Sequence, residues 1–227
     1  MRKMACIKKY IDIGANLTDE MYQGVYHGSK KHDPDLTKVL NRSWAAGMDK
    51  MVITGGSLED SKKAIEMSRT DSRLFSTVGC HPTRCNDFVQ DPEGYLRDLR
   101  DLINDNKDKV VAIGECGLDY ERLHFCKKDL QLNSLRTKEN LEVASKIPQD
   151  KLMIETDCPW CEVKATHPGY THVVTKFPSV KKEKYSVDSD SQVKGRNEPV
   201  NIVQVLEILA AIRKENIDEL ADAIYNN

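Results

Sequence analysis

The feature that most constrains the fold is a regular alternation of short apolar runs with amphipathic helical patterns. Helical periodicity covers residues 36–46, 58–67 and 95–103, each with one apolar face. The apolar runs between and around them are rich in Ile, Val and Met and predict buried parallel strands at 7–13, 51–54, 74–78, 110–114 and 152–155. This order is typical of right-handed βαβ units, so the sequence predicts an α/β fold around a parallel sheet.

The alternation stops in the second half of the chain. Residues 121–150 contain one weakly amphipathic helix, around 130–144, and no buried strand. Residues 161–195 form a long predicted loop rich in Lys, Ser and Pro, with 171–176 as a possible edge strand. The chain then closes with a helix opened by Asn197 and a short helix at 218–225. We expect a single domain over residues 1–227.

Composition limits the classes of partner and compartment. The chain has 227 residues, and 34 basic against 36 acidic residues give a net charge of −2, so the overall field does not favour nucleic acid or membrane. No apolar stretch approaches the roughly 20 residues of a membrane span, and the N-terminus lacks the apolar core of a secretory signal. The odd number of scattered cysteines, seven, is typical of reduced thiols. We expect an intracellular protein, nuclear or cytoplasmic and not secreted.

Polar side chains follow four of the predicted strands. In parallel α/β sheets ligands bind at the carboxyl ends of the strands, so these residues are candidates for one site. A single carboxylate after a strand is often only a helix cap, but glycines on both sides of Glu115 and Cys116 indicate a close backbone approach or an unusual dihedral angle. Carboxylates together with an imidazole suit a divalent cation that activates water for hydrolysis. The candidates are Asp12, Asn16, His81, Glu115, Asp119 and Asp157.

Several segments resemble one known family. The motifs GCHP (79–82), GECGLDY (114–120), ETDCPW (155–160) and RNEP (196–199) resemble the signature segments of the TatD family of metal-dependent deoxyribonucleases. The segments IDIGANLTD (11–19) and VITGG (52–56) are similar to those of its eukaryotic TatD-domain-containing members. The resemblance implies a TIM-barrel-like metallo-dependent hydrolase fold, DNA as substrate, and hydrolysis of phosphodiester bonds with one or two divalent cations.

The resemblance also implies roles for individual residues. By position, Glu115 and Asp157 match metal ligands with catalytic roles, and Asp157 matches the residue that activates water. His81 matches a histidine near the substrate phosphate or a second metal, and we group Asp12, Asn16 and Asp119 with it as substrate-binding or second-metal candidates. Oxygen ligands favour magnesium or manganese, with zinc as a further possibility.

The chain departs from the family pattern in two places. The His-x-His pair that usually ends the first strand is replaced by Gly14 and Asn16, as in the eukaryotic branch. Near residues 133–137 the chain passes from LQLNSL directly to RTKENL, without the strand and helix units that carry two further histidines of the family. An exon-skipped isoform or a faulty gene model would show such an internal deletion.

The deletion leads to three further expectations. It predicts an incomplete, open barrel of about five of the eight βα units, because much of the packed interior is lost. It predicts exposed sheet edges that favour self-association. It also leaves two functions open, a metal-dependent nuclease with impaired activity and a noncatalytic isoform that acts by binding.

Three alternative interpretations involve thiols, zinc and basic residues. Cys158 and Cys161 form a CxxC pair that suits thiol-redox chemistry, although no helix is predicted to follow it. Zinc is a second possibility, but the spacing is not that of paired CxxC fingers; its ligands would be Cys80, His81, Cys85, Cys158 and Cys161. Lysines of the long loop could approach a nucleic-acid backbone, although a solvated loop is the commoner outcome; they are Lys164, Lys176, Lys181, Lys182 and Lys184. The remaining histidines are predicted at the surface, at positions 27, 32, 124, 167 and 172.

Overall fold

The structure is a computed structural model that describes residues 8–117 and 144–227. Its chain divides into two compact units. Among the described residues, the first unit comprises 8–15, 19–50 and 144–227, and the second comprises 16–18 and 51–117. The deletion near 133–137 lies outside the described residues, as does most of the helix predicted around 130–144. Within the described ranges, no helix is both long and apolar enough to cross a membrane.

The described secondary structure follows the predicted alternation. The strands are β1 (Tyr10–Ala15), β2 (Val25–Tyr26), β3 (Ser29–Lys30), β4 (Met48–Ile53), β5 (Leu74–Val78), β6 (Val110–Ile113), β7 (Ser179–Val180) and β8 (Gln192–Val193). The helices are α1 (Leu36–Ala45), α2 (Leu58–Ser68), α3 (Pro92–Asp105), α4 (Ile202–Arg213) and α5 (Ile217–Asn226). Four of the five predicted strands and the three predicted helices of the first half are therefore confirmed, with small shifts at their ends.

The second unit contains a parallel βαβ arrangement. The end of β4 pairs with β5, with Met51 opposite Leu74, and β5 pairs with β6. Helix α2 begins where the Ser57 hydroxyl accepts from the Asp60 N–H (3.2 Å), and α3 begins with Asp91 as cap and proline at its first position. Ile65, Val78 and Leu99 form the buried core between these elements. The carboxyl ends of β5 and β6 therefore lie side by side, which is where the sequence places His81 and Glu115.

The first unit joins β1 to the extended segment 152–157. The N–H of Ile13 donates to the carbonyl of Ile154 (3.4 Å), and the N–H of Asp157 donates to the carbonyl of Gly14 (2.9 Å). Side chains along this segment alternate between buried and exposed, as in a strand. The segment nevertheless lacks a regular ladder, with one isolated bridge between Ala15 and Cys158. The strand predicted at 152–155 is therefore wrong as a strand, but its extended path carries Asp157 to the end of β1.

Two other predictions for the first unit are wrong. A 3-10 turn at Pro199–Asn201 precedes α4, and Asn197 does not cap the helix. The Asn197 side-chain amide instead donates to the Thr156 carbonyl (2.8 Å), and its side-chain oxygen accepts from the Glu198 N–H.

Residues 171–176 are not a strand either. Their backbone donors at Val174 and Thr175 bind the Glu207 carboxylate of α4, so these donors are not available to a sheet.

A buried network of charges holds the end of the long loop in the first unit. Arg196 donates to both oxygens of Asp35, at 2.7 and 2.6 Å, and to Glu198 at 3.1 Å. Arg42 forms a two-bond pair with the same Glu198, and the Tyr185 hydroxyl donates to Asp35 (2.7 Å). The side chains of Arg196, Asp35 and Glu198 are fully buried. The RNEP motif therefore supplies two members of an internal ion-pair network in this structure.

The prediction that the remaining histidines lie at the surface is wrong for His32. His27 and His172 are exposed and His167 is half-buried, whereas His124 lies outside the described residues. His32 is 7% exposed, and its Nε2 lies 3.0 Å from the Tyr26 hydroxyl while its Nδ1 lies 2.7 Å from the Asp33 carbonyl. Its ring also packs edge-on against Tyr185. The polar neighbours of His32 in sequence gave no sign of these interactions, since Tyr185 is far away along the chain.

Candidate active site

Asp12 organises the part of the site that lies in the first unit. It is fully buried in β1; its Oδ1 accepts from the N–H groups of Gly14 (3.2 Å) and Thr156 (3.0 Å), and its Oδ2 accepts from the Thr156 hydroxyl (2.6 Å). Burial raises the pKa of Asp12 to about 7, although these hydrogen bonds act in the opposite direction. Both carboxylate oxygens are thus used within the protein. These hydrogen bonds give Asp12 the geometry of a positioning residue that fixes the backbone beside Asp157.

Asp157 lies in a tight turn with an unusual backbone. Its φ is 52°, in the left-handed region that non-glycine residues rarely adopt. The turn is closed by a hydrogen bond from the Trp160 N–H to the Asp157 carbonyl (2.9 Å), and the Cys161 thiol donates to Asp157 Oδ2 (2.7 Å). Residues held in this region of the Ramachandran plot are concentrated at functional sites. The turn presents a half-buried carboxylate at the end of β1.

Glu155 is a candidate that the sequence analysis quoted in a motif but did not select. Glu155 lies two residues before Asp157, on the same extended segment. The Glu155 carboxylate fills the space next to Gly14, where a side chain on Gly14 would overlap it. A second carboxylate therefore lies beside the position at which the family usually carries a histidine. Its spacing of two residues from Asp157 was the signal that could have identified it.

His81 and Glu115 come together in the second unit. His81 Nε2 lies 3.7 Å from Glu115 Oε1, and their side chains are 18% and 49% exposed. The Thr83 N–H donates to His81 Nδ1 (3.1 Å), which makes Nδ1 an acceptor and leaves the ring proton on Nε2, facing Glu115. Backbone bonds hold both residues, from the His81 N–H to Gly56 and from the Glu115 N–H to Gly55. The pair combines a proton donor with a half-exposed carboxylate.

The glycines near this pair explain how closely the strand ends approach. A Cβ on Gly79 would overlap the backbone of Gly114 and lie 2.8 Å from the Glu115 nitrogen. Gly114 itself has a φ of +158°. The close approach predicted from the glycines around Glu115 is therefore present, and its other side is supplied by Gly79 of the GCHP motif.

We expect Gly79→Ala to destabilise the protein by about 1–3 kcal/mol, because the added methyl group must displace backbone rather than a flexible side chain. Denaturant unfolding measures the change. Gly56→Ala is the matched control, since a Cβ there meets its nearest atoms at 3.6 and 3.7 Å, ordinary van der Waals distances. Equal stability of the two variants would contradict the close approach.

The remaining candidates are less informative. Asn16 is half-buried and belongs to the second unit, whereas Asp119 lies outside the described residues. Within residues 8–117 and 144–227, no group of three or more His, Cys, Asp or Glu side chains is arranged to hold a metal ion. The described candidates instead form two pairs, Asp12 with the Asp157 turn and His81 with Glu115.

The thiols do not support redox or zinc chemistry in the described residues. Cys158 is fully buried, and burial raises its pKa well above the usual thiol range, whereas a reactive thiol needs a lowered pKa. Burial, with Cys85 nearby, likewise raises the pKa of Cys80 to about 12. The zinc interpretation also lacks a ligand cluster among the residues that the structure describes.

We expect alkylation of the native protein by iodoacetamide to leave Cys158 unmodified while it modifies the exposed Cys116. Peptide mass spectrometry resolves the two positions. Unfolding in guanidinium should make Cys158 as reactive as Cys116. Rapid labelling of native Cys158 would instead revive the thiol-redox interpretation.

Comparisons with known proteins identify the family. The model of the family described as TatD related DNase matches residues 11–141 and 131–227. The chain belongs to this family. The protein named Deoxyribonuclease Tat-D of Schizosaccharomyces pombe is 33% identical over 96% of this chain and 94% of its own length. That alignment spans 295 positions, more than the 227 residues of this TatD-related chain, so the yeast protein has positions without a counterpart here.

Solved structures support the same assignment. A hydrolase of the TatD family from Entamoeba histolytica has 34% sequence identity and a TM-score of 0.84, and covers 98% of this chain and 97% of its own. An amidohydrolase of Saccharomyces cerevisiae, at 24% identity and a TM-score of 0.85, shows the same fold over 96% of this chain and 98% of its own. The predicted fold class is therefore confirmed as a parallel-sheet α/β fold consistent with a TIM-barrel-like metallo-dependent hydrolase. Members of this fold class generally use divalent metals.

Proposed function

We propose that this TatD-related chain hydrolyses phosphodiester bonds of DNA with a divalent metal ion. The observation that carries the proposal is the match of nearly the whole chain to a relative named as a deoxyribonuclease, at 33% identity. A bacterial relative from Enterobacter lignolyticus, named as a 3'-5' ssDNA/RNA exonuclease, is 36% identical over 49% of this chain and 37% of its own length. The His81 and Glu115 pair and the Asp157 turn provide groups suited to this chemistry.

The metal ligands in this proposal are the carboxylates of Glu115 and Asp157. Their chemistry fits a hard cation, so we propose magnesium or manganese in preference to zinc. When bound, such a cation lowers the pKa of water and polarises a phosphoryl oxygen. The fit rests on donor type, since both side chains are carboxylates. Glu115 is half-exposed beside an imidazole, and Asp157 lies in a strained turn.

The protein's own side chains have separate roles in this proposal. His81 donates its Nε2 proton to a phosphate oxygen, since its Nδ1 accepts from Thr83. Asp157 orients the attacking water and accepts a proton at a carboxylate oxygen. Asp12 acts as a positioning residue, because its hydrogen bonds to Thr156 and Gly14 fix the backbone around Asp157. Asn16 and Asp119 remain candidates for binding substrate or a second metal.

We also propose that turnover is reduced in this form. Two observations support this proposal: the alignment with the fission yeast relative is longer than this chain, and the family model matches in two overlapping segments. Both are consistent with a missing internal segment near 133–137. Loss of the family's two histidines in that segment would weaken metal binding. The second candidate function, binding of DNA without cleavage, follows from the same observation.

Chelation and restoration of metal distinguish the two functions. The purified chain is dialysed against EDTA and then assayed on labelled DNA with magnesium, manganese or zinc added back. We expect no cleavage in EDTA and slow cleavage restored by magnesium or manganese more than by zinc. Absence of cleavage under every metal, with DNA still bound, would exclude hydrolysis and favour the noncatalytic form.

Metal binding should also stabilise the folded chain. A ligand that binds only the folded state adds about 2.7 kcal/mol at a hundredfold excess over its Kd, so magnesium should raise the midpoint of thermal unfolding. Far-UV circular dichroism measures this midpoint in EDTA and in magnesium. An unchanged midpoint at saturating metal would contradict a specific site.

Self-association and compartment complete the proposal. Val111 and Ile113 of β6 are exposed, the latter by 75%, and apolar strands of this kind favour pairing between chains. We therefore keep the proposal that the chain self-associates through sheet edges. We also keep the proposal of a nuclear or cytoplasmic location, which the odd number of scattered cysteines, seven, supports.

A further inference from the structure

Thr83 contacts the imidazole of His81 through two of its atoms. Its backbone N–H donates to His81 Nδ1 over 3.1 Å, and its hydroxyl oxygen lies 2.7 Å from the same nitrogen. A hydroxyl can donate or accept, so this second contact alone is compatible with a ring proton on either Nδ1 or Nε2. The direction of the bond to the hydroxyl therefore depends on the backbone N–H beside it.

The backbone N–H decides the direction because it can only donate. A proton on Nδ1 would point at the proton of the Thr83 N–H, so Nδ1 must present its lone pair. The Thr83 hydroxyl then donates to Nδ1 as well, and the two donors share the lone pair. The proton of the neutral ring is on Nε2, which lies 3.7 Å from Glu115 Oε1. The bond made by one ring nitrogen generally sets which nitrogen carries the proton.

Backbone hydrogen bonds hold His81 in place independently of the Thr83 side chain. The His81 N–H donates to the Gly56 carbonyl (2.9 Å), and the His81 carbonyl accepts from the Arg84 N–H (2.8 Å). His81 is also the cap of the 3-10 turn Pro82–Phe88. These bonds fix the backbone but not the rotation of the ring about its side-chain bonds. The hydroxyl of Thr83 restricts that rotation.

We propose that Thr83 is a positioning residue of the active site, whose hydroxyl fixes the His81 ring in the orientation that aims its Nε2 proton. The inference rests on the proposed function, in which Nε2 donates to a phosphate oxygen, and it adds the residue that aims this donor. Thr83 acts through His81 and does not need to touch the substrate. A donor contributes most when it is already oriented before charge develops in the transition state. The GCHP motif ends directly before Thr83, so the motif resemblance assigned no role to it.

NMR of the ring nitrogens tests this orientation without any cleavage. The whole chain is labelled with ¹⁵N in its histidine rings and kept in EDTA at an alkaline pH, where free imidazole is neutral. The His81→Asn variant identifies the His81 signals. The position of each nitrogen signal reports whether the nitrogen carries a proton, and the signal of a bare nitrogen moves when a donor binds its lone pair. We expect the proton on Nε2 in the unmodified chain and a moved Nδ1 signal in Thr83→Val, which loses only the hydroxyl donor.

Cleavage in magnesium is the second measurement. Thr83→Val should lower kcat/KM by about 2- to 10-fold, the factor that one ordinary hydrogen bond represents. Thr83→Ser keeps a hydroxyl and should restore both the rate and the Nδ1 signal. The matched control is Thr70→Val in the same unit, because the Thr70 hydroxyl also donates over 2.7 Å, but to the Met67 carbonyl. This control should change neither the rate nor the His81 signals.

The outcomes separate this proposal from the proposed function. A ring proton on Nδ1 in the unmodified chain, or an unchanged Nδ1 signal in Thr83→Val, overturns the role of Thr83 and leaves DNA hydrolysis standing. A moved signal with an unchanged rate also overturns it, and so does a lower midpoint of thermal unfolding with unchanged ring signals, since the hydroxyl would then only stabilise the turn. The expected change of the signal, without cleavage by the unmodified chain in any metal, supports the orientation of His81 by Thr83 and excludes hydrolysis.

Discussion

Replacing Glu115 or Asp157 with alanine should each lower the kcat/KM of metal-dependent DNA cleavage by about 10²-fold or more. The reason is that each substitution removes a proposed metal ligand, and Asp157→Ala also removes the group proposed to accept a proton, which alone contributes about 10²- to 10⁴-fold in many enzymes. The measurement is the initial rate on labelled DNA at several magnesium concentrations. Loss of a ligand predicts that excess magnesium recovers part of the rate in Glu115→Ala but less of it in Asp157→Ala.

The controls for this prediction are exposed carboxylates of the same kind. Glu66→Ala on α2 and Asp150→Ala remove an equal charge at exposed positions and should leave the rate within about twofold. The substrate and metal are the same in every assay. Undiminished cleavage in both Glu115→Ala and Asp157→Ala would reject the proposed site while leaving the family assignment untouched.

The second large effect concerns stability. Arg196→Met leaves the buried Asp35 carboxylate with the Tyr185 hydroxyl but without its arginine, and it removes one of the two arginines that bind Glu198. Removing one partner of a buried ion pair costs about 3–5 kcal/mol, because the charge that stays behind is neither paired nor solvated. For a chain of this size, such a loss of stability should lower the midpoint of thermal unfolding by about 6–20 °C.

An exposed ion pair provides the comparison. Arg69 also binds an aspartate through two bonds, to Asp108 at 2.7 and 3.2 Å, but both side chains are exposed. Arg69→Met should therefore be far less destabilising, because water screens the pair and solvates what is left. If Arg196→Met were no more destabilising than Arg69→Met, the buried network would not be what holds the end of the long loop.

The network also shows what motif resemblance could not indicate. RNEP resembles a family signature, and that resemblance assigns no contact to Arg196 or Glu198. The structure instead places Arg196 and Glu198 in an internal network with Asp35 and Arg42. The partners lie more than 150 positions away along the chain, so no local pattern predicts the pairing.

The sequence by itself determined the alternation of strands and helices and the candidate residues at the strand ends. Both depend on local periodicity, which a chain carries whatever its tertiary structure. β4, β5 and β6 with α2 and α3 are therefore where the pattern predicted them. The glycines on both sides of Glu115 and Cys116 also indicated a close backbone approach, but only the structure showed that Gly79 lies on its other side, where an added Cβ would overlap the Gly114 backbone.

Only the tertiary structure decided which distant groups meet. In the structure, Glu155 lies against Gly14 and the Cys161 thiol donates to Asp157. His32 is buried between Tyr26 and Tyr185. The Glu207 carboxylate binds the backbone that was expected to form a strand. These outcomes depend on hydrogen bonds, ion pairs and packing between segments that are mostly far apart in sequence. Periodicity along the chain carries no information about such pairings.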